Sequence, residues 1–287
     1  MGSLTLPELL VVDFNTEATK PGSNSWSSAC KSIRTAFENH GCFIALCDYI
    51  TPQLHNFIFK AADDLFDLPI ETKVQTINEK PYHGYVGQMP IVPLHEALGI
   101  DYANTPQGVQ SFTNLMWPQG NPSFCENSMG FAKAVAKLEK MVVRMLFESY
   151  GLEEKLAESH VDATTYLLKF LKYRSPDEGE ARDGEWIDVH FPPSSFVVMA
   201  GDACKAWSND RVLSPSHKVI MDINGNETRY TAALFSFLSK TVEAPEGLVD
   251  DEHPLKYKPF EHVDLLKFFD TKCGLRSQDI LQDFCGV

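Results

Sequence analysis

The period of the chain changes at Thr164. Before it, apolar residues recur at the three-and-four spacing of helices; after it, short runs of β-forming residues alternate with turn signals. That switch restricts the fold more than any single motif, because a helical first half must close over a β-rich core. The later runs are Thr164–Tyr173 (TTYLLKFLKY), 186–189 (WIDV), 196–200 (FVVMA), 218–223 (KVIMDI) and 229–236 (RYTAALFS). Asp183-Gly184, Pro192-Pro193, Gly201-Asp202 and Asn224-Gly225 punctuate them. Helix returns over 254–285, most clearly at 262–269.

The first half supplies the helices. Residues 9–14 (LLVVDF) read as a first strand. Residues 26–39 follow as a helix with Ala29, Ile33, Ala36 and Phe37 on one face and Gly41 as its stop. Residues 42–47 (CFIALC) are apolar throughout, the mark of a buried strand. Thr51-Pro52 is an N-cap followed by proline at the first helical position, and that helix runs to Leu68-Pro69. A short helical start follows at 69–73, then a loop over 81–93 (PYHGYVGQMPIVP), whose aromatic, Gly- and Pro-rich composition suits a pocket lining. The longest helix is expected over 121–150, with Phe131, Val135, Leu138, Val142 and Met145 as its stripe; an acidic helix over 152–159 comes next.

Composition removes several classes of function. The chain has 287 residues, 44% hydrophobic and 22% charged, ordinary for a globular protein with a sizeable core. A net charge of -14 disfavours nucleic acid and an anionic membrane surface as partners. No apolar run reaches bilayer length, and the N-terminus lacks the basic region of a signal peptide. Seven scattered cysteines without a CxxC fit reduced thiols, so a cytoplasmic setting is expected.

Residues 199–237 carry the chemistry. His217 precedes an apolar run, and Arg229 and Thr231 are two apart on the next, so they share one strand face. A histidine beside an Arg-x-Thr can place a metal next to a dicarboxylate. Each residue also has a plainer reading: His217 as a core or surface histidine, Arg229 as a surface arginine. His83 and His95 flank or lie in the 81–93 loop, as structural residues or substrate contacts. His190 has no carboxylate two residues on and is a poor ligand candidate. Trp207 and Phe235 read as core, and no cysteine has a nucleophile's surroundings.

In order and spacing these stretches resemble the plant 2-oxoglutarate/Fe(II)-dependent dioxygenases, nearest the branch of the AOP-type and auxin-oxidising enzymes. The helix leading into HGCFIALCDYI is similar to the family's N-terminal module, and FDLPIETK to its F-x-L-P-x-E-x-K segment. AGDACKAWSNDRVLSPSHKV resembles its G-D-x-x-x-x-x-S-N-G-R-x-x-S-x-x-H-R stretch, and Arg229-Tyr230-Thr231 stands where the family has Arg-x-Ser. The resemblance implies a mainly β fold with helices: a double-stranded β-helix (jelly-roll, cupin-like) core with N- and C-terminal helical flanks. It implies a module over 1–120 and the β-helix domain over 121–287. It also implies Fe(II) and 2-oxoglutarate as cofactors, O2, and a small-molecule substrate. Iron in this family sits on two histidines and a carboxylate. His217 matches the last histidine. Arg229 and Thr231 match the clamp on the far carboxylate of 2-oxoglutarate, a pairing suited to the guanidinium fork. Tyr173 matches a tyrosine on the same carboxylate, although Leu171 replaces the asparagine that the family carries two residues earlier.

The other two ligands, a His-x-Asp, should follow the Thr164–Tyr173 strand after a short loop. Here 176–183 is a short acidic loop and the 186–189 run begins at once, as if a block with about two of the eight strands were skipped. His160-Val161-Asp162 is a literal His-x-Asp, but it ends an acidic helix ahead of the wrong strand. Two functional readings follow. One is oxidation of a small plant metabolite or hormone, with His217 on iron and Arg229, Thr231 and Tyr173 on the co-substrate. The other is a catalytically inactive splice or degenerate variant without iron. A cupin-type metal enzyme that does not use 2-oxoglutarate is a third reading, disfavoured by the Arg-x-Thr pair.

Overall fold

The structure is a computed structural model that describes residues 8–15, 20–88, 94–174, 186–221 and 228–287. The expected acidic loop at 176–183, the end of the 81–93 loop and the turns at 183–184 and 224–225 lie outside the described residues.

Helix starts follow local chemistry. Helix α1 (Asn24–His40) begins where the Ser23 hydroxyl accepts from Trp26 N at 3.0 Å. Thr51 does the same for α2 (Pro52–Phe66), from Leu54 N at 3.2 Å. The short α3 (Ile70–Lys73) follows. Thr105 caps α4 (Pro106–Met116), and Asn121 caps α5 (Pro122–Ser149). Each such cap contributes about 1 kcal/mol. Helix α1 stops at Gly41, whose φ of 67° is left-handed. A Cβ there would also meet the Leu213 carbonyl oxygen at 2.4 Å, so this glycine admits a close chain crossing. The acidic α6 (Glu154–Asp162), α7 (Asp202–Trp207), α8 (His262–Phe269) and α9 (Ile280–Cys285) complete the helices used below.

Among the described residues six strands form two sheets. In the first, β1 (Val11–Asp13) runs parallel to β2 (Cys42–Leu46), and β2 pairs antiparallel with β5 (Ser195–Met199). In the second, β4 (Thr164–Tyr173) lies antiparallel between β3 (His95–Asp101) and β6 (Arg229–Leu238). Both sheets therefore draw strands from either side of residue 120. One face of the second sheet presents Leu98, Ile100, Leu168 and Phe170 to Ile58 and Leu65 of α2, Val109 and Phe112 of α4, and Phe131 of α5. A second core joins Ile33 and Phe37 of α1 and Phe43 of β2 to Leu138, Val142 and Met145 of α5. Trp207, Leu265 and Leu281 complete it. Phe196 of β5 packs against both cores.

Several expectations need correction. Residues 186–189 and 218–221 are irregular rather than strands, although rich in β-formers. A strand exists only in a ladder, and among the described residues neither run belongs to one of the two sheets. Strand β3 and helix α4 were not expected at all, yet α4 opens on the same Thr-Pro signature as α2. Among the described residues β6 is paired only with β4. No helix among the described residues is long and apolar enough to cross a membrane.

Glu139 on α5 is a half-buried polar group with a measurable consequence. Tyr166 donates to its Oε2 at 2.7 Å, and Ser236 also bonds its side chain. Burial raises its carboxyl pKa despite these donors. A folded-state pKa raised for an acid favours the protonated form, so this stabilisation is present at low pH. It is lost as pH rises through the unfolded and then the folded value. Glu139→Gln keeps an acceptor for Tyr166 without the charge. We expect its thermal midpoint to exceed the parent's by a few degrees, roughly 2–4 °C per kcal/mol, at pH 8 and to match it at pH 4. A lower midpoint at pH 8 would contradict this assignment.

Candidate functional site

The face of the second sheet away from its core carries the three residues expected to hold the co-substrate, Tyr173, Arg229 and Thr231. Register places Tyr173 between His95 and Arg229, Leu171 between Ala97 and Thr231, and Lys169 between Gly99 and Ala233. Side chains two apart on a strand share a face, so these nine residues form three rows of one surface. Their backbone is set by the alternation in TTYLLKFLKY, whose other residues, Leu168 and Phe170, are fully buried. The His95 ring lies 4.8 Å from that of Tyr173. Burial raises the Tyr173 phenol pKa, and the nearby Arg229 guanidinium draws it partly back. Arg229 has no carboxylate partner among the described residues. An unmatched guanidinium beside a hydroxyl and a phenol is an arrangement that binds a carboxylate.

The structure does not bring the expected metal ligand to this surface by any described contact. His217 is exposed in the irregular segment 211–221, and its Nδ1 lies 3.3 Å from its own chain at the Pro215 carbonyl oxygen. The His160/Asp162 pair also fails to converge. On a helix, positions two apart point to different sides. His160 packs against Phe147 and Trp207, at 5.3 and 6.1 Å between ring centroids, whereas Asp162 is exposed. Burial, then Lys240 and His262, lower the His160 pKa to about 4. His190 is exposed as well. All nine histidines lie among the described residues, and no group of three His, Cys, Asp or Glu side chains there could hold a metal ion. Among the described residues, therefore, no set fits a centre of two histidines and a carboxylate.

Two residues on this face were missed or misplaced by sequence reasoning. His95 was assigned to the loop region and stands instead at the start of β3. Lys169 was passed over, although its spacing of four from Tyr173 puts it on the same face. Gly99 explains how the preceding loop reaches that face: a Cβ there would meet the His83 carbonyl oxygen at 2.5 Å. His83 is buried, with Nδ1 2.9 Å from the Pro81 carbonyl oxygen, and burial lowers its pKa.

Comparison with known proteins places the chain. Residues 143–237 match the model of the 2OG-Fe(II) oxygenase superfamily. Residues 10–119 match that of the non-haem dioxygenase in morphine synthesis N-terminal region. The chain is 37% identical over 316 residues to the probable 2-oxoglutarate-dependent dioxygenase AOP1.2 of Arabidopsis thaliana, covering 97% of this chain and 96% of that one. To the 2-oxoglutarate-dependent dioxygenase AOP3 of the same plant it is 27% identical over 413 residues, covering 100% and 99%. Among solved structures it is similar to the dioxygenase for auxin oxidation in rice, with a TM-score of 0.78 and 25% identity over 97% of this chain and 100% of that chain.

Proposed function

The chain belongs to the plant 2-oxoglutarate/Fe(II)-dependent dioxygenase family, and we propose that within it this chain binds the co-substrate while its iron centre is incomplete. Family members are oxidoreductases that use Fe(II) and 2-oxoglutarate, and the rice relative named above is a dioxygenase for auxin oxidation. In this reading residues 1–120 form the N-terminal module and 121–287 the β-helix domain with its helical flanks. Arg229, Thr231 and Tyr173 hold the far carboxylate of 2-oxoglutarate, and His217 is left over from a ligand set whose other members are absent. Reduced thiols and the acidic balance support a cytoplasmic setting.

The observation that carries this reading is a contrast within the described residues. The clamp residues share one face of one sheet, and no three ligands converge among the described residues. The length of the alignment adds support. It runs over 316 residues with AOP1.2, 29 more than the 287 in this chain, so at least that many of its positions have no counterpart here. A skipped block between Tyr173 and residue 186 accounts for such a gap and for the missing His-x-Asp.

The test is turnover. Full-length protein supplied with Fe(II), ascorbate, O2 and 2-oxoglutarate should release no succinate above a protein-free control, with or without candidate metabolites. It should still bind 2-oxoglutarate. Stoichiometric succinate formation would replace this reading with the family's ordinary oxidation chemistry.

A further inference from the structure

Lys169 is a half-buried cation that the clamp does not explain. It sits in the middle strand of the sheet, four residues from Tyr173 and on the same face. Its surroundings are the Tyr82 ring at 5.9 Å and the Phe235 ring at 5.7 Å. Among the described residues it has no acidic partner. Asp101, on the same face, is taken by Lys80 at 2.7 Å. A half-buried ammonium with no described anion beside it is unfavourable, and desolvation pulls its pKa down accordingly. The ammonium is also close enough to His95 to help lower that ring's pKa, after burial. His95 is the register partner of Tyr173, and its Nδ1 is buried with no hydrogen-bond partner. Among the described residues the face thus has an unmatched guanidinium at one end, an unmatched ammonium further in, and an unsatisfied ring nitrogen across Tyr173 from the guanidinium. The two cationic rows are separated by about 13 Å of strand, a distance that an arginine and a lysine side chain narrow from both ends. Between them lie Ala97, Leu171 and Thr231, a short, mostly apolar floor.

We propose that this face is a metal-independent site for a short dicarboxylate, in which Arg229 and Thr231 hold one carboxylate and Lys169 with His95 Nδ1 holds the other. The proposal rests on the clamp of the preceding reading. It goes further by giving the second carboxylate a protein cation as partner in place of iron, so a keto group next to that carboxylate is not needed for binding.

Calorimetric titration of the full chain in excess chelator tests it, with 2-oxoglutarate, glutarate and butyrate as probes. Glutarate should bind within about threefold of 2-oxoglutarate, and butyrate at least roughly tenfold more weakly, since it can engage only one cation. Lys169→Met should lower glutarate affinity roughly tenfold or more, while Lys169→Arg should retain most of it. Without ligand, Lys169→Met should melt no lower than the parent, because it removes a half-buried charge with no described anion beside it. That shows loss of binding is not loss of fold. Glutarate binding that depends on Arg229 and is untouched in Lys169→Met overturns this inference and leaves the clamp standing. Binding of 2-oxoglutarate only when Fe(II) is added, with none of glutarate, overturns this inference and the incomplete-centre reading together.

Discussion

Arg229→Met abolishes measurable 2-oxoglutarate binding, with an expected loss in affinity of about 100-fold, or roughly 3 kcal/mol. Arg229 opens β6 directly opposite Tyr173, and Thr231 follows on the same face. A guanidinium offers parallel donors that match a carboxylate's two oxygens, and such charged pairs are about twice as strong as neutral hydrogen bonds. Here no described carboxylate competes for it. Methionine keeps the length and apolar stem of the side chain and removes every donor, so the effect isolates the charged fork. Arg229→Lys should fall between the two, because an ammonium keeps charge but cannot engage both oxygens in one plane. Calorimetry under metal-free conditions reads the difference. Unchanged affinity in Arg229→Met would mean that the clamp is not where the family pattern puts it.

The second large effect concerns the fold rather than the ligand. Trp207→Ala should destabilise the protein by about 3–5 kcal/mol, a substantial share of a typical domain's total stability. Trp207 ends α7 at 5% exposure, and its ring stacks on Phe147 at 4.4 Å between centroids. It also packs edge-on against His160 and Tyr150. Removing it empties a junction between α5, α6 and α7 that no small movement refills. A fall in thermal midpoint of about 6 °C or more is expected. His160→Ala at the same junction separates structure from chemistry. The His160 pKa of about 4 lies below its unfolded value near 6.5. Its neutral form is therefore favoured in the folded state, and the associated stability is present above pH 6.5 and lost as pH falls towards 4. The alanine variant should lose part of that acid sensitivity and keep 2-oxoglutarate binding unchanged. Loss of metal or ligand binding in His160→Ala would instead make His160-Val161-Asp162 the true ligand pair.

The elements that could be read from sequence are those whose cause is local. Ser23, Thr51 and Asn121 announce their helices by capping chemistry, and the alternation of TTYLLKFLKY announces β4. Strand β3 was not legible. HEALGID contains a glycine and two acids, and only its pairing along β4 makes it a strand. The converse failure at 186–189 and 218–221 has the same origin, because β-forming residues become a strand only in a ladder, and among the described residues neither run is in one. The site divides along this line as well. Arg229, Thr231 and Tyr173 meet because register and alternation bring them to one face, and both can be inferred from spacing. Whether His217 has co-ligands depends on distant contacts, which no local pattern reports. Lys169 was legible from its spacing alone. Its significance came only with burial and the absence of a described counter-ion.

The most direct measurement is anaerobic titration of the intact chain with Fe(II), with and without saturating 2-oxoglutarate, in parallel with His217→Ala. The account predicts no stoichiometric Fe(II) binding in either protein, and 2-oxoglutarate binding that is the same in chelator as in Fe(II). One equivalent of Fe(II), bound more tightly with 2-oxoglutarate and lost in His217→Ala, would contradict it.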